Sequence, residues 1–439
     1  MKSFYKLLIV LISTTTISLF SASKEVEIGT SAGANVTYYS FSKGVILSDP
    51  LAKWNIALMN GIDACVRIND ATNHQLWLVG KKSASDFGKA LDTTGMGTWQ
   101  ELHNSDTTWN IGAFNIGKDG FDAGDGDYGW GVYDPSTHYI VGNKLFVLRI
   151  NASTCKQVLI DGITAGEFTI KYANLDGTNP KTVVVNKADF AGKNFVGLSM
   201  IDDKVYDKEP LSKDWDIAGT KYWQLTPDGQ GNLLWYSVFG FLSNSRPTKV
   251  TGQSSRIGTG LKVAQVDNVD MTTNTMPSKV DYSSSINQIG SDWKVYNGTY
   301  SFPKRVYFAQ RFDSLNAPSG LVYKFSFTKY AGNSTTFTQE DLVTSVNEDE
   351  NSNISNAVVY PNEITKNESL NLVITSKIPN FSSEVKIYNS TGNLVCTRKI
   401  NLNSDFGHII LNNLDLNLGL YFIQIGENTF KTPLMFIVK

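Results

Sequence analysis

Four aspartates fall within nine residues of one another in Asp119-Gly120-Phe121-Asp122-Ala123-Gly124-Asp125-Gly126-Asp127. Carboxylate oxygens at that density are the hard donors that Ca²⁺ takes, and Asp122, Asp125 and Asp127 are the candidate ligands. The stretch lacks the twelve-position spacing and closing glutamate of an EF-hand, and its three glycines suit a hydrated turn better. Imidazole donors are scarce: of 4 His, His74, His103 and His138 lie in the first third of the chain and His408 near its end. A lone loop histidine is more often solvated than metal-bound. No nucleophile elbow, H-E-x-x-H helix or phosphate-binding loop is present, so the chain reads as non-enzymatic. That absence does not bear on a glycosidase, whose two carboxylates can lie far apart in sequence. Trp77, Trp99, Trp109, Trp223 and Trp235 offer flat rings that either stack on sugars or fill cores, and their spacing does not separate the two.

The elements that must hold these residues are written twice. Trp54-Asn55-Ile56-Ala57 returns as Trp215-Asp216-Ile217-Ala218, 161 residues on, and Trp130-Gly131-Val132-Tyr133 returns as Trp293-Lys294-Val295-Tyr296, 163 residues on. Phe168-Thr169-Ile170-Lys171-Tyr172-Ala173 is matched by Phe327-Thr328-Lys329-Tyr330-Ala331, and Arg149 by Arg311. A period this long exceeds any solenoid or propeller unit and signals duplication of a whole domain. Short alternating runs punctuated by Asp-Gly and Asn-Gly steps, with 9 Trp, 19 Tyr and 23 Phe, predict strands throughout, with short helices expected only near 84–90 and 187–192.

Lys and Arg number 39 against 41 Asp and Glu, which leaves no electrostatic footprint for nucleic acid or an anionic membrane. Lys2 and Lys6, an apolar stretch over 7–20 and Ser21-Ala22-Ser23 have the layout of a secretory signal peptide. That stretch is shorter than the ~20 residues a spanning helix needs, so no transmembrane segment is expected after signal removal. Export permits disulfides, and Cys65 can pair with Cys155 while Cys396 stands alone; three buried thiols are the equal alternative.

At 343–355 the chain turns polar, acidic and aperiodic, as a solvated linker does. Beyond it, Tyr360-Pro361-Asn362, Val385-Lys386-Ile387-Tyr388-Asn389 with Gly392, Leu418-Gly419-Leu420-Tyr421-Phe422 and the terminal Lys439 resemble the C-terminal sorting domain of the type IX secretion system of Bacteroidetes. That resemblance implies handling by an outer-membrane translocon and delivery to the outer-membrane surface or the extracellular space. The W-[DN]-I-A strands, Gly290-Ser291-Asp292-Trp293-Lys294 and the closing strands at 306–311 and 321–330 resemble the HmuY-like family of secreted haem-binding proteins. That resemblance implies capture of haem, with an outer-membrane haem receptor as partner, and His103 and His138 as axial ligands, His74 and Met96 being alternates. The second repeat has no histidine and would need Met271, Met276 or a tyrosinate. A glycan- or protein-binding surface module without haem is the competing reading. The expected organisation is all-β: a signal peptide at 1–23, HmuY-like repeats of mostly antiparallel strands at 29–193 and 194–343, a linker at 344–356, and a small β-sandwich sorting domain at 357–439.

Overall fold

The computed structural model describes residues 23–61, 64–116, 126–245, 260–273, 277–312, 321–341, 345–346, 353–366, 368–378, 380–404, 406–426 and 434–439. Among them the chain is all-β, its strands interrupted only by short 3₁₀ turns. The helices expected near 84–90 and 187–192 are single turns, Ala84–Asp86 and Lys187–Phe190. No helix among the described residues is long and apolar enough to cross a membrane. Two compact units result: one holds 24–271 and 277–339, the other 340–439 together with two short segments.

The larger unit has two lobes, each a pair of packed sheets. In the first lobe an eight-stranded sheet runs Lys181–Asn186, Glu167–Asn174, Thr154–Thr164, Lys144–Asn151, Gln75–Ser83, Glu101–Leu102, with a side hairpin formed by Gly131–Asp134 and Tyr139–Gly142. Its partner is the four-stranded sheet Lys204–Tyr206, Phe195–Ser199, Ile56–Met59, Val66–Ile68. Alternation along Lys144–Asn151 explains why both its faces are apolar: Phe146, Leu148 and Ile150 enter the main core with Trp130 and Phe168, whereas Leu145 and Val147 pack on Trp77 and Leu159. The second lobe repeats the plan with Lys24–Gly29, Ser334–Asp341, Tyr323–Tyr330, Arg305–Phe312, Gly260–Asp267 over Leu233–Ser243, Ile217–Pro227, Asn35–Ser40, Gly44–Pro50.

Strand order puts the lobes out of phase with the sequence repeats. The hairpin 195–206, which opens the second repeat, completes the first lobe; Lys24–Gly29 and the hairpin 35–50 complete the second. Neither 29–193 nor 194–343 therefore closes on itself. The same order corrects the third motif pair. Phe168 lies two strands from the Arg149 strand, but Phe327 lies on the strand next to that of Arg311. A bulge between Ile160 and Gly162 in the eleven-residue strand Thr154–Thr164 accompanies this shift.

In the smaller unit, Ile354–Tyr360, Leu370–Ser376 and Phe406–Leu411 form one sheet with the short Ser345–Val346, and Ser382–Asn389, Leu394–Asn401, Gly419–Ile425 and Leu434–Val438 form a second with Glu363–Ile364. Leu372, Ile374, Val385, Ile387, Ile423 and Phe436 fill the space between them. The expected linker is partly strand, since Ser345–Val346 pairs with Ala357 and Asn356.

Candidate functional site

Trp54 and Trp215 end equivalent 3₁₀ turns, Leu51–Lys53 and Ser212–Asp214, and the residue after each ties the two repeats together. Asn55 donates its backbone N–H to Leu198 O at 2.8 Å and accepts from Met200 N at 2.6 Å through Oδ1; Asp216 donates to Tyr39 O at 2.8 Å and accepts from Phe41 N at 2.9 Å through Oδ2. Two buried asparagines brace these turns: Asn69 Nδ2 donates to Leu51 O and Trp54 O, and Asn244 Nδ2 to Ser212 O and Trp215 O. The remaining atoms of the two locks differ. Asn55 Nδ2 donates to His74 Nε2 at 2.9 Å and His74 Nδ1 faces Thr72 Oγ1 at 3.0 Å, whereas Asp216 Oδ1 takes Arg311 Nε and Nη2 at 3.0 and 2.6 Å.

The locked strands frame a cleft of about 660 Å³ of empty space, counting its open mouth. Both copies of the W-[DN]-I-A motif face it, Trp54 and Ala57 from one and Trp215 and Ala218 from the other, with Tyr38, Trp109, Phe195 and Tyr222 also in the lining. Its apolar lining is that of small-molecule seats, as is its place between lobes. Trp109 Nε1 donates to Ser243 O at 2.9 Å, and Arg67 donates to Thr108 O, Ile111 O and Ser105 O, fixing the 105–111 loop that carries the indole.

Lys208 is a buried charge of the cleft lining. Its Nζ stands 5.0 Å from the Trp54 ring centroid and 5.7 Å from that of Phe195, and its polar neighbours are Tyr38 OH at 3.4 Å and Glu209 Oε2 at 3.5 Å. Glu209 is committed elsewhere, since Oε1 accepts the N–H groups of Asn194 and Phe195. Burial lowers the Lys208 ammonium from its ordinary value and, with the Glu209 charge behind it, raises the Tyr38 hydroxyl well above its own. An ammonium has three donors, and contacts this long leave it weakly served.

The histidines are dispersed. His74 is the buried lock residue, its pKa pushed down to about 4 by burial. His103 stacks on Trp235 at 4.5 Å and lies 5.4 Å from Trp223, both on the long hairpin 217–243, and burial lowers it to about 4 as well. His138 sits in the 134–139 turn at φ 61°, its Nδ1 2.6 Å from Tyr133 OH. The structure does not bring His103 and His138 together. Leu102 pairs with Leu76, Leu76 with Leu148 and Leu148 with Lys156, whereas Ile140 pairs with Ile163. From 156 to 163 is seven residues along one strand, roughly 20 Å. Met96 packs beside Trp77 and Trp99. Met271 is described and Met276 lies outside the described residues.

Asp122 and Asp125 also lie outside the described residues; Asp127 is buried, accepts from Gly129 N at 2.8 Å and has Lys144 at 3.6 Å. Among the described residues no group of three or more His, Cys, Asp or Glu is placed to hold a metal ion. Cys65 and Cys155 are not joined in a disulfide and lie in different core clusters, Cys65 with Trp54 and Phe195 and Cys155 against the cluster of Trp77. Sequence reasoning singled out Trp54 and Trp215 as the heads of a repeated motif and passed over Lys208 and Glu209. The adjacent Lys-Glu pair before Pro210 gave no signal, because only the fold turns it inward.

Residues 358–439 match the family model of the secretion system C-terminal sorting domain. The tail is a type IX sorting domain. The chain is thus an export substrate of the type IX machinery, delivered to the cell surface or the extracellular space. No curated protein matches the chain. Among solved structures, dimeric latent PorU from Porphyromonas gingivalis aligns at 12% identity over 85% of this chain and 31% of its own, with a TM-score of 0.18. This chain therefore spans about a third of that protein's length, and the superposition is too loose to define a shared fold.

Proposed function

We propose that this protein is a non-enzymatic binding protein whose duplicated unit holds a small molecule in the cleft between its lobes, for use at or beyond the outer membrane. The observation that carries the reading is the cleft itself, walled by Trp54, Trp215, Tyr38 and Tyr222 from both repeats and held open by the paired locks. Rigid strands and fixed indoles lower the ordering penalty of binding. Thermal-shift screening of the mature protein against small-molecule metabolites is expected to find compounds that raise Tm, since ligand at 100 times its Kd adds about 2.7 kcal/mol of stability. The same compounds should lose that effect in Ala71→Trp, which fills the half-buried rim of the cleft. Equal shifts in the variant would move binding elsewhere.

Haem is the second reading, resting on the resemblance to HmuY-like proteins, and His103 favours it: an imidazole kept neutral by burial, flanked by two indoles on a hairpin whose Leu225 and Leu233 are exposed. Neutral imidazole is the form that ligates iron, and an apolar slot suits a macrocycle. Ligation here would run through His103 without His138. Haemin titration should then give a saturable Soret shift that His103→Ala abolishes and His138→Ala leaves unchanged; indifference to His103→Ala removes haem from this site.

A further inference from the structure

We infer that the cleft selects a ligand carrying a negative charge on a flat apolar body, with Lys208 as its counter-ion; this rests on the cleft being the binding seat. Arg67, Lys208 and Lys221 line the cleft against Asp70 and Glu209, an excess of one cation. Among these groups Lys208 is the buried cation left to give, Lys221 being only half-buried. Arg67 spends its guanidinium on three backbone carbonyls at 2.8–3.1 Å, whereas the two contacts of Lys208 stand at 3.4 and 3.5 Å. Glu209 turns one oxygen to two backbone N–H groups and so is held in place as a partial counter-charge. An incoming carboxylate, sulfonate or phosphate reaching Nζ supplies the short charge-assisted hydrogen bond that the fold omits. The indoles of Trp54 and Trp215 give the attached ring system its walls, and burial of Lys208 makes the pairing strong because water competes poorly there.

Two dyes of one shape separate charge from shape: 8-anilinonaphthalene-1-sulfonate is a flat aromatic anion and N-phenyl-1-naphthylamine its uncharged counterpart. With the mature full-length protein, the anion is expected to bind at one site per chain, with emission excited by energy transfer from tryptophan. Lys208→Met should weaken the anion at least tenfold and leave the neutral dye within twofold, while Lys208→Arg retains both. Retention of both dyes by Lys208→Met would overturn the counter-ion role and leave the cleft as a seat for neutral molecules. If neither dye responds to Ala71→Trp, the cleft is not the seat and both readings fall. Loss of both dyes in Lys208→Met with retention of both in Lys208→Arg, at unchanged near-ultraviolet circular dichroism, would show that Lys208 shapes the cleft rather than selecting charge, which also overturns the inference.

Discussion

At the scale of single residues, the two copies of one lock show how a conserved geometry is met with different chemistry. Asp216 answers Arg311 with charge; Asn55 answers His74 with a neutral hydrogen bond. Because Asn55 Oδ1 is taken by Met200 N, its amide must donate to Nε2, so His74 has to be the Nδ1–H tautomer that donates to Thr72. Protonation would set N–H against N–H. The folded pKa is depressed from 6.5 to about 4. Above pH 6.5 both states are neutral and the lock contributes in full; as pH falls toward 4 the unfolded chain binds a proton that the fold refuses, and stability drops by about 3 kcal/mol at most. Urea midpoints at pH 7.5 and pH 4.5 should therefore differ more for the wild type than for His74→Gln, which keeps an acceptor for Asn55 without a titratable ring. Equal acid sensitivity in the two proteins would assign the loss to other groups.

At the scale of elements, close strand crossings set the tolerance of individual glycines. A Cβ on Gly142 would stand 1.8 Å from Ile160 O, where the side hairpin meets the bulged strand, but a Cβ on Gly80 meets nothing within 4 Å. Gly142→Ala should lose about 2–3 kcal/mol by denaturant melting and Gly80→Ala little; a benign Gly142→Ala would mean that the hairpin can shift without penalty. Much at this scale was readable from the chain. The alternating residues 145–150 and 370–374 and the short apolar run 421–425 between turn residues read as strands in the chain itself, and all three are strands. Leu394–Asn401 was missed because four of its eight residues are polar or charged and it is largely exposed, so no apolar face announces it. The cleft escaped for a related reason: Trp54 and Trp215 are as buried as core residues and their periodicity is that of any strand end. Lys208 acquires its role from Trp54, Phe195 and Tyr38, of which only Phe195 is near it in sequence.

At the scale of the whole binding unit, the phase shift between repeat and lobe decides what can fold alone. The segment 24–50 brings Ile28, Val36, Tyr38, Tyr39 and Phe41, all buried, into the second lobe, where Lys24–Gly29 edges one sheet and Asn35–Ser40 sits inside the other. At 1.5–3 kcal/mol per large apolar side chain, their burial is worth on the order of 10 kcal/mol, comparable with the entire stability of a typical domain. A chain beginning at residue 51 should therefore keep the first lobe, whose strands from Ile56–Met59 to Lys204–Tyr206 are continuous in sequence, and lose the second to proteolysis. Adding residues 24–50 as a separate peptide is expected to restore protection of the second lobe, because strand pairing and the lock at Asp216 need contact rather than covalent linkage. Residues 24–193 produced alone should fare worse, with Ile56–Met59 deprived of Phe195–Ser199 and the first segment deprived of its sheet. A stable, protease-resistant 24–193 would mean that each repeat can close on its own opening hairpin. The exchange would then be one of two arrangements open to the sequence, and the cleft between the lobes would depend on which one forms.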